Sequence, residues 1–282
     1  MFERKKITPP DLKLKKEQKE KITMLTAYDY PIAALLDEIG IDTILVGDSL
    51  GMVVLGYENT VPVTMDEMIH HCCAVKRGIK HALLIGDMPF MSYQVSTENA
   101  IRNAGRFLKE GGCDAVKLEG GLEMIDTIKA IVRIGIPVVG HIGLTPQTAT
   151  SLGGFKVQGK DLSSAQYLLD SAIALEDAGI SLIVLECIPD ELANLITGKI
   201  SVPTIGIGAG PNCDGQVLVT NDLLGLFKKF IPTFVKQYAQ LYPIMEDAIK
   251  SFSREVKSGE FPADKHSFKM DKNTLAQLKV SS

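Results

Sequence analysis

The sequence predicts a (β/α)8 barrel, a TIM barrel, followed by extra C-terminal helices. Three observations predict it. Short apolar runs of strand length recur along the chain; most are separated by stretches of helical periodicity; and acidic or imidazole side chains recur at one end of successive runs. A chain of 282 residues fits one such barrel, which typically takes roughly 250 residues.

In chain order the runs are ITMLTA (22–27), DTILVG (42–47), ALLIGD (82–87), DAVKLE (114–119), IPVVGH (136–141), SLIVLE (181–186), PTIGIG (203–208) and QVLVT (216–220). Each has the near-continuous apolar character of a parallel strand covered on both faces. Helical patterns lie between them at Pro31–Gly40, Met65–Gly78, Thr97–Gly111, Leu122–Gly135 and Leu162–Gly179. Several close on a glycine suited to the left-handed turn after a helix.

Two features disturb the repeat. Ser49–Thr64 is a long strand-to-helix connection, rich in glycine and apolar residues, which predicts an ordered loop over the barrel mouth. After Asn221 come further helical patterns, Thr233–Leu241 and Pro243–Ser258. A doubly wound open sheet is the competing architecture, but no GxGxxG follows the first strand, which counts against a dinucleotide fold. The expected layout is a charged, flexible leader over residues 1–20, a single catalytic barrel over 21–268 and a tail over 269–282.

Composition narrows the partners. Hydrophobic residues make up 45% and charged residues 23% of the chain, enough for a large core, so disorder is set aside. The formal net charge of −4 supplies no basic stripe for nucleic acid, leaving a small molecule as the expected partner. Cys72, Cys73, Cys113, Cys187 and Cys213 form no CxxC pair or zinc spacing and read as reduced thiols. The N-terminal stretch is charged throughout, unlike a signal peptide, and no apolar run reaches the roughly 18 residues of a membrane span. A cytoplasmic location and no membrane partner are expected. Lys13, Lys15, Lys16, Lys19 and Lys21 read as a solvated charge run rather than a binding arm.

The polar residues carry the functional reading. Asp48 follows the second strand, while Asp87, Glu119, His141 and Glu186 close the third to the sixth. In a barrel these ends converge on one mouth, where active sites lie. Crowded carboxylates share protons or surround a cation, and an all-oxygen set points to a hard ion such as magnesium rather than zinc. A single strand-end Asp is as readily a helix cap; recurrence at four strands favours function. Lys117 lies two residues before Glu119, so both face inward, where the lysine either captures a substrate carboxylate or pairs with Glu119 or Asp87. Its acidic surroundings argue against a Schiff-base role. Gly206, Gly208 and Gly210 resemble a phosphate loop but read as tight-turn glycines, and Cys187 reads as packing.

The phrases TAYDYP (26–31), VGDSLGMVVLG (46–56), VPVT (61–64), DMPFMSY (87–93), VKLEGG (116–121), GHIGLTPQ (140–147), GGFKVQGK (153–160), LECIP (185–189), IGIGAG (205–210) and HSF (266–268) together resemble the ketopantoate hydroxymethyltransferase family. The resemblance spans residues 20 to 268, in order. It implies a barrel like that of the phosphoenolpyruvate/pyruvate superfamily. It implies transfer of a hydroxymethyl unit from 5,10-methylenetetrahydrofolate to 3-methyl-2-oxobutanoate (2-oxoisovalerate), giving ketopantoate (2-dehydropantoate) for pantothenate and coenzyme A synthesis. By motif it implies that Asp48, Asp87 and Glu119 surround magnesium, directly or through water, that Asp48 and Asp87 thereby border the substrate, that Ser49 and Lys117 bind the oxo acid, that His141 hydrogen-bonds near it, and that Glu186 is the catalytic base. It also implies a homo-oligomer, commonly a ring-based decamer.

Chelation of the oxo acid would let the metal act as a Lewis acid and stabilise an enolate by several kcal/mol, so that Glu186 can remove the C3 proton. The neighbouring alternative is a magnesium-dependent 2-oxo acid lyase or mutase of the isocitrate lyase or phosphoenolpyruvate mutase type, disfavoured by the lack of a KKCGH-like loop. A barrel that only binds a metabolite is the non-catalytic alternative, against which five polar strand ends speak.

Overall fold

A computed structural model describes residues 4–150, 153–227 and 231–278. The chain divides into two compact units, Met1–Leu223 with Ile231–Lys236, and Leu224–Phe230 with Gln237–Ser282. The first unit is a closed barrel of eight parallel strands in sequential order: β1 Ile22–Thr26, β2 Thr43–Val46, β3 Leu83–Asp87, β4 Ala115–Lys117, β5 Val138–Gly143, β6 Leu182–Glu186, β7 Thr204–Ile207 and β8 Gly215–Leu218. Each lies within the apolar run that predicts it or within two residues of its ends.

Alternation along the strands splits the core in two. Met24, Leu45, Ile85, Val184 and Ile205 fill the barrel interior, whereas Ile44, Val46, Leu84 and Ile183 pack outward under the helices. Both sets are buried, which is why the runs read as continuous rather than alternating. The covering helices are α2 Tyr30–Ile39, α4 Met65–Gly78, α5 Thr97–Lys109, α6 Ile125–Arg133, α7 Leu162–Asp177 and α8 Asp190–Lys199. Four of the six starts are fixed by side-chain caps: Asp29 accepts from the Ile32 N–H, Thr64 from Glu67, Ser96 from Asn99 and Asp161 from Ser164. The long connection after β2 is ordered as expected, with a short helix α3 Leu50–Val53 and with Leu50 and Val63 buried.

Three expectations are corrected. The leader is not a solvated flexible arm: it holds helix α1, Pro9–Glu17, whose Leu12 is fully buried in the barrel interior. Lys6 reaches Asp114 at 2.6 Å, Lys15 reaches Asp42 at 2.7 Å and Lys16 reaches Asp214 at 2.9 Å. Each aspartate sits just before a strand, at the end of the barrel opposite Asp87 and Glu186, so leader and barrel floor are tied by charge as well as by packing. Next, the helix expected over Thr233–Leu241 does not form: residues 233–240 carry no helix, and only Leu241 is helical, as the first residue of the next one. Nine residues are too few to hold a helix without a packed face, and Thr233, Phe234 and Val235 are poor helix formers; Phe234 instead lies against Gly208, where a Cβ would stand 2.9 Å from its ring. Last, the barrel unit does not run to residue 268, because α10 Leu241–Ser258 and α11 Lys272–Ala276 belong to the second unit with α9 Thr220–Leu223 closing the first. No helix among the described residues is long and apolar enough to cross a membrane.

Candidate active site

The strand ends bring the predicted residues together. β3 and β4 place Asp87 opposite Lys117 in register, and β5 and β6 place Gly143 opposite Glu186. Gly143 has φ +101°, and a Cβ there would stand 2.1 Å from the Glu186 carbonyl oxygen, so only glycine lets the two strands meet at this point. Asp48, Asp87, Lys117, Glu119 and His141 are all buried, and Glu186 is half-buried.

Contacts run through the cluster as a chain. The Lys117 ammonium lies 2.6 Å from Asp87 and 4.0 Å from Glu119. Asp87 also accepts the Asp48 backbone N–H at 3.2 Å. His141 Nδ1 lies 3.8 Å from Glu119 and its Nε2 3.3 Å from Glu186. Nε2 also sits 2.9 Å from the Leu144 carbonyl oxygen, which can only accept, so Nε2 carries a hydrogen and donates it there. Nδ1 faces Glu119 Oε1; both atoms are buried and make no hydrogen bond within the protein.

The electrostatics follow from burial. Desolvation, with Asp87 beside it, pushes the Asp48 carboxyl up to about 7 against the pull of Lys117. Burial raises Glu119 well above the carboxylate range, with Asp48, Asp87 and Glu186 adding to the effect. Burial alone would lower Lys117, but Asp87, Glu119 and Asp48 outweigh it and keep the ammonium charged. A Schiff-base lysine is thus disfavoured here too. Burial and the adjacent Glu186 push the Cys187 thiol up to about 12, so it stays protonated.

The residues can be tested for a divalent cation on this chemistry. Asp48, Asp87, Glu119 and Glu186 gather around the Lys117 ammonium and the His141 ring, and one buried oxygen of Glu119 makes no hydrogen bond within the protein, which leaves oxygen donors open to a cation. Among the described residues no three His, Cys, Asp or Glu side chains form a ready-made cage. Magnesium does not need one, since it keeps several waters and takes one or two carboxylates plus substrate oxygens. The donor set fits such an ion.

Ser49 lies beside the cluster, with its hydroxyl 2.8 Å from the Tyr28 hydroxyl. Three more residues belong to the site that strand-end reasoning did not single out. Gln147, buried on the 3-10 turn Pro146–Thr148, donates through its side chain to Asp48 at 3.0 Å and to the Met88 carbonyl at 2.9 Å, and through its backbone to Glu119 at 3.1 Å. Tyr93 donates to Gln147 at 2.7 Å and accepts the Glu119 N–H at 3.1 Å. Tyr28 is the third. All three lie inside the phrases TAYDYP, DMPFMSY and GHIGLTPQ, but neutral side chains in loops carry no strand-end signal of their own.

Comparison with known proteins places these features in a family. A family model described as ketopantoate hydroxymethyltransferase matches residues 6–264. The chain is 59% identical over 273 residues to 3-methyl-2-oxobutanoate hydroxymethyltransferase of Syntrophomonas wolfei, covering 97% of this chain and 99% of that one. It is 61% identical over 267 residues to the protein of that name from Heliobacterium modesticaldum, covering 95% and 97%. Among solved structures it resembles phosphonopyruvate hydrolase in complex with oxalate and magnesium, with TM-score 0.60 at 12% identity over 92% of this chain and 93% of that one. It also resembles 2,3-dimethylmalate lyase of the phosphoenolpyruvate mutase/isocitrate lyase superfamily, with TM-score 0.56 at 15% identity over 95% and 93%. At such identities the structural likeness shows the barrel alone.

Proposed function

This chain belongs to the ketopantoate hydroxymethyltransferase family, and from that premise we propose that it transfers a hydroxymethyl group from 5,10-methylenetetrahydrofolate to 3-methyl-2-oxobutanoate, giving 2-dehydropantoate for pantothenate and coenzyme A synthesis. The observation that carries the reading is the contact chain Asp87–Lys117–Glu119–His141–Glu186, which joins a cationic anchor to a half-buried carboxylate at one mouth of the barrel.

In this reading Asp48, Asp87 and Glu119 would hold magnesium, directly or through water. Bound there, the ion supplies Lewis-acid polarisation of a 2-oxo acid carbonyl. Lys117, kept charged by its neighbours, attracts the substrate carboxylate, and Ser49 offers a hydroxyl beside it. Glu186 is the base that takes the C3 proton. His141 positions Glu186, with Nε2 toward the Leu144 carbonyl and Glu186. That is a positioning role, distinct from direct contact with the substrate. Gln147 orients Asp48 and Glu119 together.

Homo-oligomer formation belongs to the same proposal, with a decamer as the expected assembly. In its support, Met245, Ile249, Phe252 and Val256 recur at helical spacing on α10, and each is roughly half or more exposed, an apolar stripe suited to burial against a second copy. Light scattering of the purified protein reads the subunit number.

The direct test of the chemistry is solvent exchange. The protein is incubated with 2-oxoisovalerate in deuterated water without folate, and loss of the C3 proton is followed by NMR with magnesium or with a chelator. Exchange that requires the metal supports the assigned chemistry; no exchange with the oxo acid bound counts against Glu186 as the base.

A further inference from the structure

A cavity of about 390 Å3 opens beside the acid cluster, between the loops after β4 and β5 and the first turns of α7. Glu119 and Tyr93 line its buried part; Glu123 and Tyr167 line its exposed part. Its size is within the range of small-molecule sites. Lys117 does not line it, so it lies beyond the anchor assigned to the oxo acid.

Its chemistry separates the two co-substrates. None of its lining residues is Lys, Arg or His. A carboxylate entering it would lose its hydration and gain no counter-charge, so the oxo acid belongs with Lys117 and not here. What the walls offer instead is hydrogen-bond acceptors on an apolar bed. Gln94 Oε1 and Glu119 Oε1 are buried without a partner in the protein. The Glu123 carboxylate, at the exposed rim, is held in place by the Gly121 N–H and the Tyr167 hydroxyl. Met124, Ile142 and Leu168 supply the apolar surface. The complement of such a space is a flat, uncharged ring with several N–H donors along one edge.

A reduced pterin has that form: its ring amide N–H and exocyclic amine lie side by side and match the two oxygens of a carboxylate. Resting on the reading of the donor as a tetrahydrofolate, the geometry points to this cavity as the seat of the donor's bicyclic ring. The amine edge rests on Glu123, and Gln94 accepts a further ring N–H. The carbon to be transferred is carried on the opposite side of the ring, which this orientation turns toward Glu119 and the acid cluster.

The test measures binding of tetrahydrofolate and of 2-oxoisovalerate to the full-length protein by calorimetry, with magnesium present. Glu123→Ala removes the carboxylate, and Thr148→Trp adds bulk at an exposed position of the same cavity. Each is expected to raise the tetrahydrofolate Kd at least tenfold, while a 2-oxoisovalerate Kd within twofold of wild type shows that the barrel and oxo acid site are intact. Wild-type tetrahydrofolate affinity in both variants would overturn the assignment. Should the unaltered protein exchange the C3 proton yet bind no tetrahydrofolate, the donor reading fails and this seat with it, while the oxo acid chemistry stands. If tetrahydrofolate binds and is lost in the variants but no exchange occurs, the seat stands and the role of Glu186 fails.

Discussion

Lys117 and Asp87 occupy one register position on neighbouring strands, and their side chains close to 2.6 Å in a site both share with Asp48 and Glu119. Removing one member of a buried ion pair leaves an uncompensated charge, which costs about 3–5 kcal/mol. Lys117→Met is therefore expected to lower unfolding stability by that order in urea titrations and to weaken oxo acid binding sharply. Asp87→Asn is expected to weaken magnesium affinity at least tenfold. In the double variant part of the stability should return, because neither charge is then left alone. An unchanged magnesium titration for Asp87→Asn would remove it from the ligand set.

Glu186 differs from the other acids in being only half-buried and in touching His141 rather than Lys117. Glu186→Gln keeps shape and hydrogen bonding but cannot accept a proton. A positioned base contributes about 10²- to 10⁴-fold, so the C3 exchange rate should fall by that factor with the 2-oxoisovalerate Kd nearly unchanged. Equal exchange in variant and wild type would refute the role.

Gln147 ties three elements together, reaching Asp48 after β2, Glu119 after β4 and Tyr93 after β3. Loss of a partner that orients a metal ligand typically costs 10–100-fold in metal affinity. Gln147→Leu has nearly the same volume and loses every side-chain bond, so its magnesium Kd should rise by about that factor. Its fold should survive, as read by circular dichroism.

The same residue marks the limit of what the sequence reveals. The eight strands were legible because a parallel barrel buries both faces of each strand, and Asp48, Asp87, Glu119, His141 and Glu186 because a charged or imidazole side chain is conspicuous at the end of an apolar run. Gln147 and Tyr93 are neutral and lie in loops, so only the three-dimensional meeting of those loops reveals them. The leader failed for a different reason. A lysine run has the same composition whether it is solvated or paired, and Asp42, Asp114 and Asp214 stand far from it along the chain. Thr233–Leu241 failed because periodicity is a weak signal over nine residues.

The corrected leader makes its own prediction. Leu12 is fully buried among Ile22, Met24 and Leu45 at the barrel floor. Deleting a buried leucine side chain costs about 2–5 kcal/mol, so Leu12→Ala should lower the urea midpoint by a corresponding amount. A solvated arm would tolerate it without effect. Lys13→Ala, at an exposed position of the same helix, is the control and should leave the midpoint unchanged.

Asp37 supplies the pH dependence. On α2 it accepts the backbone N–H groups of Lys80, His81 and Ala82 at 3.1, 2.9 and 2.7 Å, pinning the helix to the start of β3. Burial alone would raise its carboxyl, but these three donors outweigh it and hold the group below the usual carboxylate range. A group lowered in the folded state stabilises the fold when ionised. Its contribution is fully present above the unfolded value of about 3.9 and is lost as pH falls through the lower folded value. Asp37→Asn keeps one acceptor but not the charge. The stability gap between wild type and variant, from urea titrations at a series of pH values, should therefore be constant from pH 7 down to about 5, close as the pH falls below about 4, and vanish in stronger acid. A gap that persists unchanged at pH 2 would mean that packing, not charge, makes Asp37 matter.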